Sequence, residues 1–263
     1  MGFPSSCGNP YTLPGRFLRT PMVDYTSIAA QLKRQLGLGK APVQISYLDT
    51  APTGLPQHEG GAPSVCTFFA FGTERAFYAA LPQHEECEIG AYVLGVPAEG
   101  DVGDRLMSTL GTMQKIGYLN PGEESRVPHN ATAPRFVAYG PLGSLSMPPT
   151  VVLIFANPKG AMLATEAAGS GADALPVPMN GRPMCAIVPI MNQGAPVAVS
   201  FGCIGSRIYA DLGIDQMVIG IRGDHLVNFA KKLDAIAAAN AAVAAEDQAR
   251  KAAASTAHRP VPR

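Results

Sequence analysis

The sequence predicts an α/β protein: a mixed sheet with flanking helices, followed by a long C-terminal helix. Three observations predict it. The run Val151 to Phe155 is continuously apolar, as buried strands are, and leads directly into Asn157-Pro158. There asparagine caps a helix, and proline takes its first position, where a missing N–H costs nothing. A strand, turn and helix unit of this kind calls for a sheet with helices against it. Other apolar runs of strand length recur along the chain, and a packing stripe at Leu226, Phe229, Ala230, Leu233 and Ile236 predicts a closing helix.

In chain order, residues 1–22 carry four prolines and read as an N-terminal arm. Residues 23–237 form the α/β domain. Its first helix has Ile28, Leu32 and Leu36 on one face, capped by Asp24 and closed by Gly37. Val43, Ile45 and Tyr47 alternate along a half-buried strand. The proline- and glycine-rich residues 49–63 are a loop in which His58 is expected to face solvent. Val65 to Phe71 then reads as a strand, and Thr73 caps a helix expected to run to about Leu81. Leu106, Leu110, Met113 and Ile116 predict a helix over 101–117, capped by Asp101, and His129 lies in an exposed loop. Strands are expected at Arg135 to Tyr139, Val151 to Phe155 and Gln216 to Ile221. Asp224 opens the last helix. Carried to residue 254 it would be about 46 Å long at 1.5 Å per residue, more than the domain covers. Residues 238–263 therefore read as an alanine-rich helical extension with a disordered tail, through which a homo-oligomer could form.

Composition narrows the function. The chain has 263 residues, 47% hydrophobic and 15% charged, and its 20 basic and 20 acidic side chains cancel. No excess charge draws it to nucleic acid or to a membrane surface. No secretory pattern opens the sequence and no apolar run is long enough for a membrane span, so the expected location is cytoplasmic. It carries no dinucleotide-binding glycine motif, P-loop, GxSxG elbow, HExxH or EF-hand loop.

Chemistry is expected around cysteine. Five cysteines, at 7, 66, 87, 185 and 203, form no CxxC pair. Singly, each also reads as a small buried hydrophobe. His84 and Cys87, three apart, suit joint metal ligation or a base and nucleophile pair. Glu85, Glu86 and Glu88 around Cys87 should raise its thiol pKa, which argues against a free nucleophile. Ala186 to Ile190 and Val197 to Phe201 suggest a hairpin with Cys185 and Cys203 opposed at its open end. Pro189 weakens that picture, since proline avoids ladders, and a short helix is the alternative for the first run. Gly202 and Gly205 flank Cys203 and allow backbone to approach a bound group.

From about Ile28 to His225 the sequence resembles the family of domain of unknown function 169, the ArCR-type proteins. Ala41-Pro42-Val43 looks like its early PPVAV strand. His84, Cys87, Gly90, Leu94 and Gly95 are similar to its H-x-x-C-x-x-G element and Leu-Gly pair. Val151 to Met162 follows its VVLI strand and NPxxAM helix, and Gly202, Cys203, Gly205 and Arg207 follow its GCxGxR element. Glu88-Ile89 departs from the pattern where a Pro-Gly pair is common. The resemblance implies that Cys66, Cys87, Cys185 and Cys203 belong to a set, while Cys7 has no counterpart. Four thiolates suit a tetrahedral zinc or an iron-sulfur cluster. Their separations of 20, 97 and 17 residues are unlike the close pairs of zinc sites, so a 4Fe-4S cluster is expected, with zinc as the alternative. Arg207 and His84 would stand beside it, Arg207 offsetting its negative charge or holding an anionic substrate. An electron-transfer partner or a small-molecule substrate follows. Two alternatives stay open: a metal-free pocket lined by the cysteines, and a Cys87/His84 thiol enzyme.

Overall fold

The computed structural model describes residues 23–257 except 172, 173 and 175. The expected N-terminal arm and the last six residues of the expected tail lie outside the described residues. In order the elements are α1 (Tyr25–Leu36), β1 (Val43–Leu48), α2 (Val65–Phe71), β2 (Phe77–Ala80), α3 (Glu88–Leu94), α4 (Gly100–Lys115), β3 (Phe136–Pro141), β4 (Val151–Ala156), α5 (Pro158–Ala168), β5 (Met179–Asn180), α6 (Ile187–Asn192), β6 (Val197–Ser200), α7 (Ile204–Tyr209), β7 (Met217–Arg222) and α8 (Leu226–Ala257). Among the described residues the strands make one seven-stranded sheet in the order β2-β3-β1-β4-β7-β6-β5. Neighbours are antiparallel except β5 and β6, which run parallel. The α/β expectation, with its mixed sheet and long last helix, holds.

Alternation along the strands splits the interior into two cores. Val43, Ile45, Val137, Tyr139, Val151, Leu153, Phe155 and Val218 face one, which α2, α3 and α6 cover. Val152, Ile154, Val197, Val199, Ile219 and Ile221 face the other, under α1, α5 and α8. The second layer forms as its caps and stripes predict. The Asp24 carboxylate accepts the Ser27 N–H at 3.1 Å, and Asn157 accepts the Gly160 N–H at 2.8 Å. Gly37 ends α1 at φ +64°, a conformation that glycine adopts without strain. The stripe of α8 is buried through Leu233 and partly buried at Ile236, and the helix is exposed over residues 241–254.

Several elements differ from the sequence expectations. Val65–Phe71 is a helix rather than a strand: Ser64 caps it by accepting the Cys66 N–H at 3.2 Å, and its continuous apolar run buries Val65, Cys66, Phe68 and Phe69. The expected helix after Thr73 is the strand β2, because this segment finds a partner in β3, with Phe77 opposite Tyr139. Thr73 instead donates to the Ala70 carbonyl at 2.7 Å, at the end of α2. The hairpin across Cys185 and Cys203 does not form. Met184–Ala186 is a 3-10 turn running into α6, with Pro189 in the first turn of the helix, where its missing N–H is tolerated. The helical alternative for this run is the one adopted. α4 begins at Gly100 after Glu99, with Asp101 in its first turn rather than capping it, and of its predicted stripe Ile116 is exposed. His58 is half-buried rather than fully facing water, packing on Phe68, Phe71 and Phe77 at 5.1–5.7 Å between ring centres. β1 is buried on both faces at its start: the Gln44 amide and the Ser46 hydroxyl donate to the Met147 and Pro148 carbonyls in the β3–β4 connection.

Candidate functional site: four thiols on one face of the sheet

The first core gathers the cysteines. Cys66 and Cys185 are buried within it, and the half-buried Cys87 and Cys203 pack against it. Each stands where a loop turns into a short helix. Cys66 is the second residue of α2, Cys87 caps α3, Cys185 lies in the 3-10 turn before α6, and Cys203 caps α7. The hairpin is absent, yet Cys185 and Cys203 still reach the same region. β6 lies between α6 and α7, and Ile187 of α6 sits against Gly220 of β7, where any Cβ would come within 3.2 Å of it.

The thiols interact. Cys185 stands beside Cys66, and its influence lowers the Cys66 pKa. The neighbouring Cys66 thiol and burial together drive the Cys185 pKa well up. The charges of Cys87 and Cys203 also reach Cys185 and push in the same direction. Burial raises the Cys87 pKa, the expected direction through a different cause than the neighbouring glutamates. The Cys87 Sγ accepts the Gly90 N–H at 3.3 Å. Only glycine fits there, since a Cβ would lie 2.4 Å from the Val65 side chain and 2.9 Å from the Cys87 Sγ. Among the described residues no three His, Cys, Asp or Glu side chains stand close enough to hold a metal ion. Cys7 lies outside them.

The other expected site residues are committed locally. His84 is fully buried. Its Nδ1 is 3.0 Å from the Ala80 carbonyl and its Nε2 is 2.9 Å from the Tyr139 hydroxyl. A carbonyl only accepts, so Nδ1 carries the proton and Nε2 accepts from the tyrosine. Burial pulls the imidazole pKa down to about 4. Both nitrogens are engaged, and neither is placed to take a proton from Cys87. Arg207 spends its guanidinium on backbone: it donates to the carbonyls of Phe201 at 2.7 Å, Leu212 at 3.3 Å, Gln216 at 3.2 Å and, in a short contact, Gly213. It thereby closes the loop that follows Cys203. Gly202 has φ +84°, and a Cβ there would meet Leu212 at 2.5 Å. At Gly205 a Cβ would lie 3.8 Å from the Cys203 Sγ, so this glycine leaves room beside the sulfur.

Two tyrosines complete the region. Tyr139 stacks on Phe68 and Phe77 at 5.5 and 5.3 Å, and its pKa is driven well up by burial. The Tyr47 hydroxyl accepts the Asn130 amide at 3.1 Å, and Asn192 in turn donates to Asn130 at 2.9 Å. Burial raises the Tyr47 pKa to about 12. Between Tyr47, Tyr139 and Cys185 lies a cavity with room for about one water molecule. Strand alternation places both tyrosines on the inner face. The two asparagines, in a loop and at a helix end, carry no sequence signal.

A mixed sheet with thiols gathered on one face defines this protein's class. A profile of the DUF169 family, described as uncharacterised ArCR, matches residues 31–232. The chain belongs to that family. No curated protein and no solved structure matches it. No helix among the described residues is long and apolar enough to cross a membrane.

Proposed function

We propose that Cys66, Cys87, Cys185 and Cys203 hold a 4Fe-4S cluster and that the protein serves a redox or electron-transfer role. The observation that supports it is the meeting of four free thiols, from four separate segments, at one apolar core. A single zinc ion, with bonds of about 2.3 Å, needs its sulfurs roughly 3.8 Å apart, and no three donors are so grouped. A cluster is wider than an ion and suits a looser arrangement. When bound, it supplies one-electron transfer at a potential set by burial and by hydrogen bonds to sulfur.

This chain's residues would bind and tune it. Burial of Cys66 and Cys185 excludes water, and Gly90 aims an N–H at the Cys87 sulfur. The Cys66 pKa is lowered and the Cys185 pKa raised, and ligation would require both thiols to lose their protons. Loading therefore releases protons and weakens as pH falls. Arg207 and Gly202 shape the loop that presents Cys203.

Anaerobic purification followed by iron, sulfide and zinc analysis tests this. The expected result is a brown protein with about four irons and four sulfides per chain, lost in Cys203→Ala and kept in Cys7→Ala. Stoichiometric zinc without iron would sink the cluster. A second reading, a metal-free binding protein, draws on the cavity beside Cys185. It requires blank metal analysis and folded Cys→Ser variants at all four positions.

A further inference from the structure

The segment around Cys203, from Phe201 through α7 to Ile214, carries apolar side chains turned to solvent: Phe201, Ile204, Ile208, Tyr209 and Ile214, from 45% exposed at Tyr209 to 99% at Ile214. They cluster along residues 201–214. Ile204 and Ile208 are one turn apart on α7 and present a single ridge. The Arg207 fork ties the Phe201 carbonyl to that of Gly213, next to Ile214. The Tyr209 carbonyl accepts the Thr67 hydroxyl at 3.2 Å, which fixes α7 on α2.

We propose that a second copy of this chain covers this surface, giving a twofold dimer that closes over Cys203. Area supports a self-complementary contact. With full side-chain areas of about 150–250 Å², the exposed part is on the order of 600 Å², the upper end for an apolar patch on a monomer. Two such patches face to face would bury about 1,200 Å², where specific interfaces begin and well short of an obligate one.

Charge supports it as well. A contact of like with like is penalised when each copy presents the same unpaired charge. Here Arg207 points inward onto carbonyls, and Asp211 pairs with Lys40 at 3.5 Å. Asp215, next to Ile214, is exposed, and it is the one acidic side chain the two copies would have to keep apart. The exposed half of α8 offers far less: Val243 is its one large exposed apolar side chain among the described residues, and the rest is alanine and charge. The oligomer surface is therefore α7 rather than the C-terminal extension. This inference does not depend on the cluster.

Sedimentation equilibrium of the full chain from low to high micromolar concentration tests it, and on samples that metal analysis shows to be free of iron and zinc, alkylation of Cys203 followed by peptide mass mapping is read alongside. The wild type should pass from monomer to dimer, and Cys203 alkylation should slow in step. Ile208→Glu should raise the dimer dissociation constant at least about tenfold and abolish that protection, with unchanged circular dichroism. Ile214→Glu, on a turn and touching no core, carries the same test if the first variant misfolds. Val243→Glu should leave the dimer intact. A wild type that stays monomeric, including one that instead binds a different protein, overturns the proposal. So does a dimer that survives Ile208→Glu and Ile214→Glu, or one that Val243→Glu destroys. Iron content measured in parallel separates the two proposals: iron without a dimer refutes this surface alone, and a dimer without iron refutes the cluster alone.

Discussion

Lowering the pH through the range where histidine titrates should destabilise this fold through His84. In the folded chain burial holds the imidazole pKa near 4, against 6.5 for a free histidine. Between those values the unfolded chain takes up a proton that the folded chain refuses, so stability falls as pH drops below about 6.5. The contribution is fully present above the unfolded pKa and lost progressively toward the folded one. Worked through, the loss is roughly 2 kcal/mol between pH 7 and 5, and about 3 kcal/mol in all. Urea denaturation at intervals from pH 7.5 to 4.5 would show it, with His84→Gln as the comparison because glutamine cannot titrate. The lowered carboxylates, Asp24, Glu123 and Asp224, act mainly below that window. A His84→Gln variant with the wild-type pH slope would refute the reasoning, as would an NMR titration placing His84 near 6.5 in the folded protein.

Other expectations rest on single contacts. Tyr139→Phe removes the hydroxyl that donates to His84 Nε2 and should cost about 1–3 kcal/mol in denaturant unfolding; a cost under roughly 0.3 kcal/mol would deny the bond its weight. Gly90→Ala pushes a methyl into Val65 and the Cys87 sulfur, and a loss of about 1–3 kcal/mol is expected. A melting temperature equal to wild type would count against that packing. Arg207→Lys keeps the charge but loses the fork that binds four carbonyls. Cys203 should then alkylate several-fold faster in dilute protein, and an unchanged rate would show that the loop holds without the fork. Ending the chain after residue 243 removes, among the residues whose burial is described, only exposed helix and should shift stability by less than about 0.5 kcal/mol.

Which parts of the fold the sequence disclosed follows from how local their causes are. α1, α5 and α8 carry their own caps or stripes, and β1, β4 and β7 carry apolar runs or alternation, so short-range patterns suffice for them. The run VCTFFAF has neither period, and six apolar residues around one threonine serve a helix or a strand equally; the Ser64 cap and the packing of Phe68 against Tyr139 decide for helix. β2 exists because β3 lies beside it, a fact written 60 residues downstream. At the site, the cysteines were legible as a set through family resemblance. The bond between His84 and Tyr139 joins residues 55 apart and leaves no trace in either neighbourhood. Arg207, read as a charge for a bound anion, serves its own backbone.

The two layers also divide the molecule for practical handling. α8 packs under the face of the sheet turned away from the sulfurs, and its far half is exposed among the described residues. A dye, an affinity handle or a tether to an electrode attached near Arg250 would therefore sit on the opposite side from Cys203, leaving the thiol layer open to reagents and to whatever it meets.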